Sequence, residues 1–85
     1  MYYVYILKSV SHPDEIYVGV TADLRERLAD HNAGKSSHTA KYLPWTIACY
    51  FAFPMKDTAY RFETYLKSHS GRAFARKRLL TSELA

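Results

Sequence analysis

The sequence has few of the features that mark secreted or membrane proteins. Its single cysteine, Cys49, has no partner for an intrachain disulfide and lies in an apolar run, where a small buried side chain is its expected role. No apolar run approaches the ~20 residues of a membrane span, and the first residues lack the basic segment and cleavage site of a secretory signal. We therefore expect a cytoplasmic protein with no membrane association.

Familiar catalytic motifs are also missing. The chain has no glycine-rich phosphate loop, no CxxC pair, no HExxH sequence and no serine nucleophile elbow. One cysteine and four histidines are too generic a set to indicate a thiol nucleophile. Any chemistry must therefore come from residues that are dispersed along the chain.

The composition is that of one small folded domain. The chain has 85 residues, of which 48% are hydrophobic, and it contains eight tyrosines. A chain of this length has room for a single modest core, and its apolar content is too high for a disordered segment. We predict one domain over residues 1–85. The sequence does not determine the oligomeric state, and a monomer is compatible with it.

The net charge of +4 is unevenly distributed. From residue 56 onward seven basic residues face three acidic ones. The basic residues are Lys56, Arg61, Lys67, Arg72, Arg76, Lys77 and Arg78. Such a half attracts a phosphate backbone, although an ordinary solvated surface explains the charge equally well.

Runs of β-branched and aromatic residues alternate with turn formers and amphipathic stretches. The pattern predicts strands at about residues 3–8, 16–21 and 46–53, and helices at about residues 22–32, 57–71 and 72–80. The polar segment 34–44, with Lys35 and Lys41, is typical of a functional loop. The order β-β-α-β-α-α predicts an α+β fold with a small three-stranded antiparallel sheet flanked by helices.

Local signals also suggest where the helices begin and end. Thr21 or Asp23 is expected to cap the first helix and Asp57 the second. Gly34 follows the first helix, and Gly71 is expected to break the second.

Three tyrosines and a glycine suggest a site on the hairpin. At a period of two, Tyr3 and Tyr5 share one face of the first strand, while Tyr17 and Gly19 share one face of the second. The hairpin could bring Tyr5 and Tyr17 together. A glycine in the middle of a strand, such as Gly19, weakens the sheet. Its presence could be explained by close approach of a ligand or of another backbone, or by a β-bulge.

Polar residues on the helices could add to this site. Arg27 and His31 are four residues apart and share a helix face, where they could bind phosphate oxygens and exchange a proton, although a solvated face is the commoner explanation. Glu63 borders the apolar stripe of the second helix and needs a partner there. An arginine or a divalent cation such as Mg²⁺ could be that partner, and spacing alone favours the arginine.

These dispersed residues resemble the core of the GIY-YIG nucleases, especially the small single-domain bacterial members. The sequence YVY at residues 3–5 is followed after eleven residues by YVG at residues 17–19, then by TADLRER at 21–27 and HN at 31–32. Glu63 falls at the metal-binding glutamate of the family. The resemblance covers nearly the whole chain and extends to the nuclease domain of an excision-repair endonuclease and to homing endonuclease domains.

The resemblance implies a catalytic role for Tyr5, Tyr17, Arg27, His31 and Glu63. Glu63 would hold Mg²⁺ or Mn²⁺ near the scissile phosphate, and Arg27 would stabilise the developing negative charge. Tyr5, Tyr17 or His31 would activate the attacking water. The resemblance does not choose among these three.

The resemblance also suggests how substrate binds. The expected contacts are Gly19, Lys35, Lys41, Arg72, Arg76, Lys77 and Arg78. The expected substrate is nucleic acid, DNA rather than RNA, recognised by structure more than by sequence because so small a surface can read few bases. A role in DNA repair or recombination would follow.

The chain departs from the family pattern in places. Tyr3 replaces the first glycine of the name motif, valine replaces isoleucine in both motifs, and a C-terminal asparagine of some members has no counterpart. A nucleic-acid-binding module that has lost useful catalysis is therefore the main alternative. A protein-interaction domain is a third possibility that explains the charge less well.

Overall fold

The predicted N-terminal hairpin forms the centre and one edge of a sheet. In the computed structural model, which describes residues 1–80, β1 spans Tyr2–Ser9 and β2 spans Ile16–Thr21. A third strand, β3, spans Trp45–Phe53 and pairs antiparallel with the other side of β1, so that the strand order is β2-β1-β3. The predicted antiparallel sheet is confirmed. The predicted domain extends to residue 85, and its last five residues lie outside the described range.

The first helix begins and ends as its local signals predict. Helix α1 spans Leu24–Asn32, and the Asp23 side chain caps it by accepting a hydrogen bond from the backbone N–H of Glu26 at 3.0 Å. Gly34 follows with a φ of 77°, a conformation that glycine adopts without strain. The following loop contains one short 3₁₀ turn at Ala40–Tyr42.

The C-terminal helices confirm the predicted order, but the predicted boundaries between them are wrong. Helix α2 spans Lys56–Lys67, helix α3 spans His69–Phe74, and a π-helical turn follows at Ala75–Leu79. Asp57 is not the cap, because it already lies inside the first turn of α2. No helix in residues 1–80 is both long and apolar enough to cross a lipid bilayer.

Gly71 does not break α2 but lies within α3. The break occurs at Ser68, whose hydroxyl donates to the Tyr65 carbonyl at 2.6 Å and accepts from the Gly71 N–H at 3.1 Å. A Cβ atom at position 71 would lie 1.8 Å from that Tyr65 carbonyl oxygen. Glycine is therefore required there because two helices approach closely, not because the helix must end.

The two faces of the sheet carry separate cores. One core contains Val4 and Ile6 from β1 and packs against Leu66 and Ala59 of α2. The other contains Tyr5, Leu7 and Trp45 and packs against α1 through Leu24 and Leu28. Helix α1 therefore covers one face, while α2 and α3 cover the other.

Cys49 lies at the edge of the first of these cores. It is half-buried and packs against the buried residues of that core. Burial raises the pKa of the thiol, which favours its neutral form. The side chain acts as a small apolar group there, as its sequence context suggests.

Candidate active site

The hairpin register brings the two motif tyrosines together. Tyr5 pairs with Gly19, and the neighbouring Leu7 pairs with Tyr17. Tyr5 and Tyr17 are therefore diagonal neighbours on one face, and their ring centroids are 6.3 Å apart.

Gly19 makes room for the side chain of Tyr5. A Cβ atom at position 19 would lie 2.4 Å from the Tyr5 hydroxyl oxygen and 2.6 Å from the ring carbon that carries it. Pairing between β1 and β2 continues regularly through Gly19, and the irregularity at Ile6 and Leu7 occurs on the β3 side. A neighbouring side chain, and not a bulge, thus explains this glycine.

His31 lies at the centre of the cluster and is fully buried. Its Nε2 is 3.0 Å from the Tyr5 hydroxyl, and its ring centroid is 4.8 Å from that of Tyr17. Its Nδ1 is 2.8 Å from the hydroxyl of Thr39, so both ring nitrogens have partners within the protein. The imidazole is held firmly between β1, β2 and the loop after α1.

Arg27 brings a positive charge to the same tyrosines. Interaction with the Tyr5 hydroxyl, and to a smaller extent with Tyr17, raises the pKa of its guanidinium. Burial and the nearby Arg27 charge lower the pKa of His31, against a smaller opposing effect of Asp30. His31 is consequently neutral at physiological pH.

Tyr5 also stays neutral. Burial raises the pKa of its hydroxyl, and the charge of Glu63 adds to this effect, while Arg27 opposes it.

Glu63 is paired with a lysine of its own helix. Its carboxylate oxygen is 3.0 Å from Nζ of Lys67, one turn further along α2. The Glu63 side chain is 16% exposed and that of Lys67 is 50% exposed. The pattern favoured an arginine as the partner, and the structure instead has a flexible, half-exposed lysine.

The donors around Glu63 are suited to a hard cation that keeps most of its water. Within residues 1–80, no three His, Cys, Asp or Glu side chains lie close enough to form a metal cluster. Mg²⁺ commonly binds through one or two carboxylates, with waters and substrate phosphates completing its octahedron. Glu63 could supply one carboxylate to such a site, and in the structure that carboxylate is paired with Lys67.

Comparison with known proteins places this arrangement in a family. The sequence matches the GIY-YIG catalytic domain family over residues 1–78. The chain belongs to the GIY-YIG family. It is 38% identical over 72 residues to a UPF0213 protein of Streptococcus pyogenes serotype M3, which covers 84% of this chain and 76% of that protein. The solution NMR structure of a UPF0213 protein from Bacillus halodurans is also similar, with a TM-score of 0.51, 32% identity, and coverage of 87% of this chain and 81% of that chain.

Membership confirms the resemblance and gives the general type of function. A GIY-YIG catalytic domain is a nuclease-type domain, and its substrates are nucleic acids. A third UPF0213 protein, from Streptococcus pyogenes serotype M5, is 36% identical over 72 residues, which cover 84% of this chain and 76% of that protein.

The basic residues of this GIY-YIG domain are not all near the cluster. Arg72 and Lys67 line a depression whose wall also includes Tyr17. Arg76 lines a separate hollow with Lys8. Lys35 is paired with Asp30 at 3.3 Å. The remaining predicted contacts, Lys41, Lys77 and Arg78, are exposed.

The GIY-YIG domain also uses residues that sequence reasoning missed. Thr39 contacts His31, and its carbonyl accepts a hydrogen bond from the Trp45 indole at 2.8 Å. The Asn32 side chain binds the backbone N–H and carbonyl of Trp45 at 2.7 and 3.0 Å, which ties the end of the loop to α1. A polar loop gives no periodic signal for such contacts, although Asn32 directly follows His31 in the motif.

Proposed function

We propose that this protein is a divalent-metal-dependent endonuclease that hydrolyses phosphodiester bonds, with DNA as its expected substrate. The observation that carries the proposal is the convergence of Tyr5, Tyr17, Arg27 and His31 around one buried hydrogen bond. A solvated helix face would not place an arginine and a buried neutral histidine against two tyrosine hydroxyls.

Exposure distinguishes the three candidates for the general base. Tyr5 is 1% exposed and His31 is fully buried, and both ring nitrogens of His31 have partners. Tyr17 is only partly buried, so of the three candidates it is the one most accessible to a substrate water. A base must lie within hydrogen-bonding reach of the proton that it removes. We therefore assign this role to Tyr17.

The other residues would bind charge and hold position. The Arg27 guanidinium lies near both tyrosines, where it would bind the phosphate oxygens as negative charge develops. Glu63 would hold Mg²⁺ or Mn²⁺, which supplies charge stabilisation at the phosphate when bound. Tyr5 and His31 would keep Arg27 and Tyr17 in place.

The depression beside Tyr17 would receive the nucleic acid strand. Lys67 and Arg72 line it, and both are exposed enough to contact phosphate. Phosphate contacts position a strand without reading its sequence. This supports a preference for DNA structure, such as a nick or a branch, and a role in repair or recombination inside the cell.

Nicking of a supercoiled plasmid tests the proposal directly. We expect nicked product with Mg²⁺ or Mn²⁺ and none with EDTA, and we expect labelled duplex, branched and single-stranded DNA to be cut faster than matched RNA. Catalytic inactivity on every substrate and metal would overturn the endonuclease assignment.

The binding-module alternative predicts a different result in the same experiment. The exposed cations of the C-terminal helices support it as well as they support catalysis. Gel-shift binding without metal, combined with no cleavage in its presence, would identify such a module. Failure of both assays would instead favour a protein-interaction domain.

A further inference from the structure

Thr39 is a buried residue in an otherwise polar surface loop. It is 1% exposed, and its hydroxyl oxygen lies 2.8 Å from His31 Nδ1 and 3.4 Å from the Ser36 carbonyl. Its own carbonyl accepts the Trp45 indole N–H at 2.8 Å. The Thr39 hydroxyl is therefore held between His31 and the Ser36 carbonyl. Through it the loop after α1 contacts His31, which in turn contacts Tyr5.

These contacts favour one arrangement of the protons. Buried hydroxyls and N–H groups each need an acceptor, and the Ser36 carbonyl is an acceptor only. The Thr39 hydroxyl donates to Ser36, so its oxygen accepts the Nδ1–H of His31. The unprotonated Nε2 of His31 then accepts the hydroxyl proton of Tyr5.

Arg27 supports the same arrangement from the other end. A guanidinium only donates, and it interacts with the Tyr5 hydroxyl. The positive charge of Arg27 favours an arrangement in which the Tyr5 oxygen faces Arg27 and its proton points to His31. In the opposite tautomer the Nε2–H would point at the Tyr5 oxygen, and the buried Tyr5 proton would lose the acceptor that Nε2 provides.

We propose that Thr39 is a positioning residue that holds His31 in the Nδ1–H tautomer and thereby directs the Tyr5 oxygen toward Arg27. The Nδ1–H tautomer of His31 is inferred from its hydrogen bonds alone, whereas its effect on cleavage rests on the proposed function. Through this chain of hydrogen bonds the loop after α1 aligns the guanidinium that would bind the phosphate.

Nitrogen-15 NMR of the histidine ring gives a direct test that does not depend on activity. The His31 signals are identified by their loss in His31→Gln. We expect the wild-type protein and Thr39→Ser to show a protonated Nδ1 and an unprotonated Nε2. Thr39→Val, which removes the hydroxyl at nearly constant volume, should shift His31 to the other tautomer or to a mixture. Thr46→Val, at an exposed threonine of β3, serves as the matched control.

Single-turnover cleavage tests the functional consequence. Thr39→Val should slow cleavage about 10-fold or more, the scale on which partners that orient a functional histidine act. Thr39→Ser should restore the rate, and Thr46→Val should leave it unchanged. A purely structural role of Thr39 would lower stability without changing the tautomer.

Two results would overturn the inference. One is a wild-type protein in which His31 carries its proton on Nε2, which needs no variant to detect. The other is a folded Thr39→Val protein with wild-type ring-nitrogen signals. If the wild-type protein cleaves no nucleic acid, the proposed function fails, and the ring-nitrogen spectra still decide the inference on Thr39.

Discussion

The two faces of the sheet are built from different kinds of side chain. Against α2 and α3 the sheet presents Val4 and Ile6, which pack on Leu66 in a dry apolar core. Against α1 it presents Tyr5, whose hydroxyl meets the buried His31. The first face is packed mainly with apolar side chains, while the second contains polar groups that hydrogen-bond to one another.

This difference separates stability from chemistry. Burial of apolar surface is the main stabilising contribution in a small domain, and the α2 face supplies much of it. Buried polar groups add little net stability but are costly when one partner is lost. We therefore expect substitutions on the α2 face to change the free energy of unfolding, and substitutions on the α1 face to change the cleavage rate.

Glu63 is the exception, because it belongs to α2 but would hold the metal in the proposed function. Glu63→Gln should lower metal-dependent cleavage about 10³-fold or more, since a bound metal supplies several kcal/mol of charge stabilisation. Loss of its half-exposed ion pair with Lys67 should cost little stability. Asp57→Asn, at an exposed carboxylate paired with Arg61 on the same helix, is the control. Wild-type nicking by Glu63→Gln would disprove the metal assignment.

Leu66→Ala tests the apolar face. Leu66 is 1% exposed, and its truncation should lower the free energy of unfolding by about 2–5 kcal/mol. The single-turnover rate per folded molecule should remain unchanged. Denaturant unfolding measures the first quantity, and Tyr60→Ala, at a residue of α2 that is 45% exposed, gives the baseline. An equally large loss in Tyr60→Ala would contradict the separation of the two faces.

Tyr17→Phe tests the polar face. Removing a general base should lower the single-turnover rate about 10²-fold, while DNA affinity stays within a few-fold and stability is nearly unchanged. Tyr50→Phe removes a hydroxyl from a tyrosine on the same sheet face that is 54% exposed, and it should cut at the wild-type rate. If Tyr17→Phe retains full activity, the hydroxyl has no chemical role and the binding-module alternative is favoured.

The pH dependence of stability reports on the buried histidine. Burial and Arg27 lower the folded-state pKa of His31, so the unfolded chain takes up a proton at a higher pH than the folded one. This contribution to stability is complete above the unfolded pKa of about 6.5 and is lost as the pH falls toward the lower folded value. Calorimetry should show a falling Tm on acidification through this window.

Two substitutions sharpen that measurement. His31→Gln should flatten the dependence of Tm on pH, because it removes the group whose pKa is lowered by burial and by the charge of Arg27. His38→Gln, at an exposed histidine, should retain it. Identical slopes in both variants would argue against a neutral buried His31.

The smallest expected effect concerns the basic C-terminal surface. Each charge removed should weaken DNA binding and reduce the slope of log affinity against log salt by about one, without changing turnover at saturating substrate. The variants are alanine substitutions at Arg72, Arg76, Lys77 and Arg78. Arg61→Ala, whose guanidinium is paired with Asp57 at 2.8 Å, should change the slope less. A fall in the saturated rate would give these residues a part in the chemistry.

The sequence predicted the elements well because their signals are local. The run at residues 16–21 is rich in β-branched and aromatic residues and follows a group of turn formers. Strand β2 has the predicted bounds in the structure. The predicted stripe of Ala59, Phe62 and Leu66 likewise packs on the sheet. Asp57 and Gly71 were misassigned because each residue type has two common roles. An aspartate can cap a helix or lie in its first turn, and a glycine can end a helix or allow close packing. The structure has the second role at both positions.

What the sequence by itself determined is the order of strands and helices, the antiparallel sheet, and the set of residues that carry the family motif. These follow from hydrophobic periods, turn formers and residue spacing along the chain. Only the tertiary structure decided that Gly19 accommodates Tyr5, that Lys67 pairs with Glu63, and that the loop delivers Thr39 to His31. Such contacts depend on how separate layers pack and on the path of an aperiodic loop, and neither leaves a repeating pattern in the sequence.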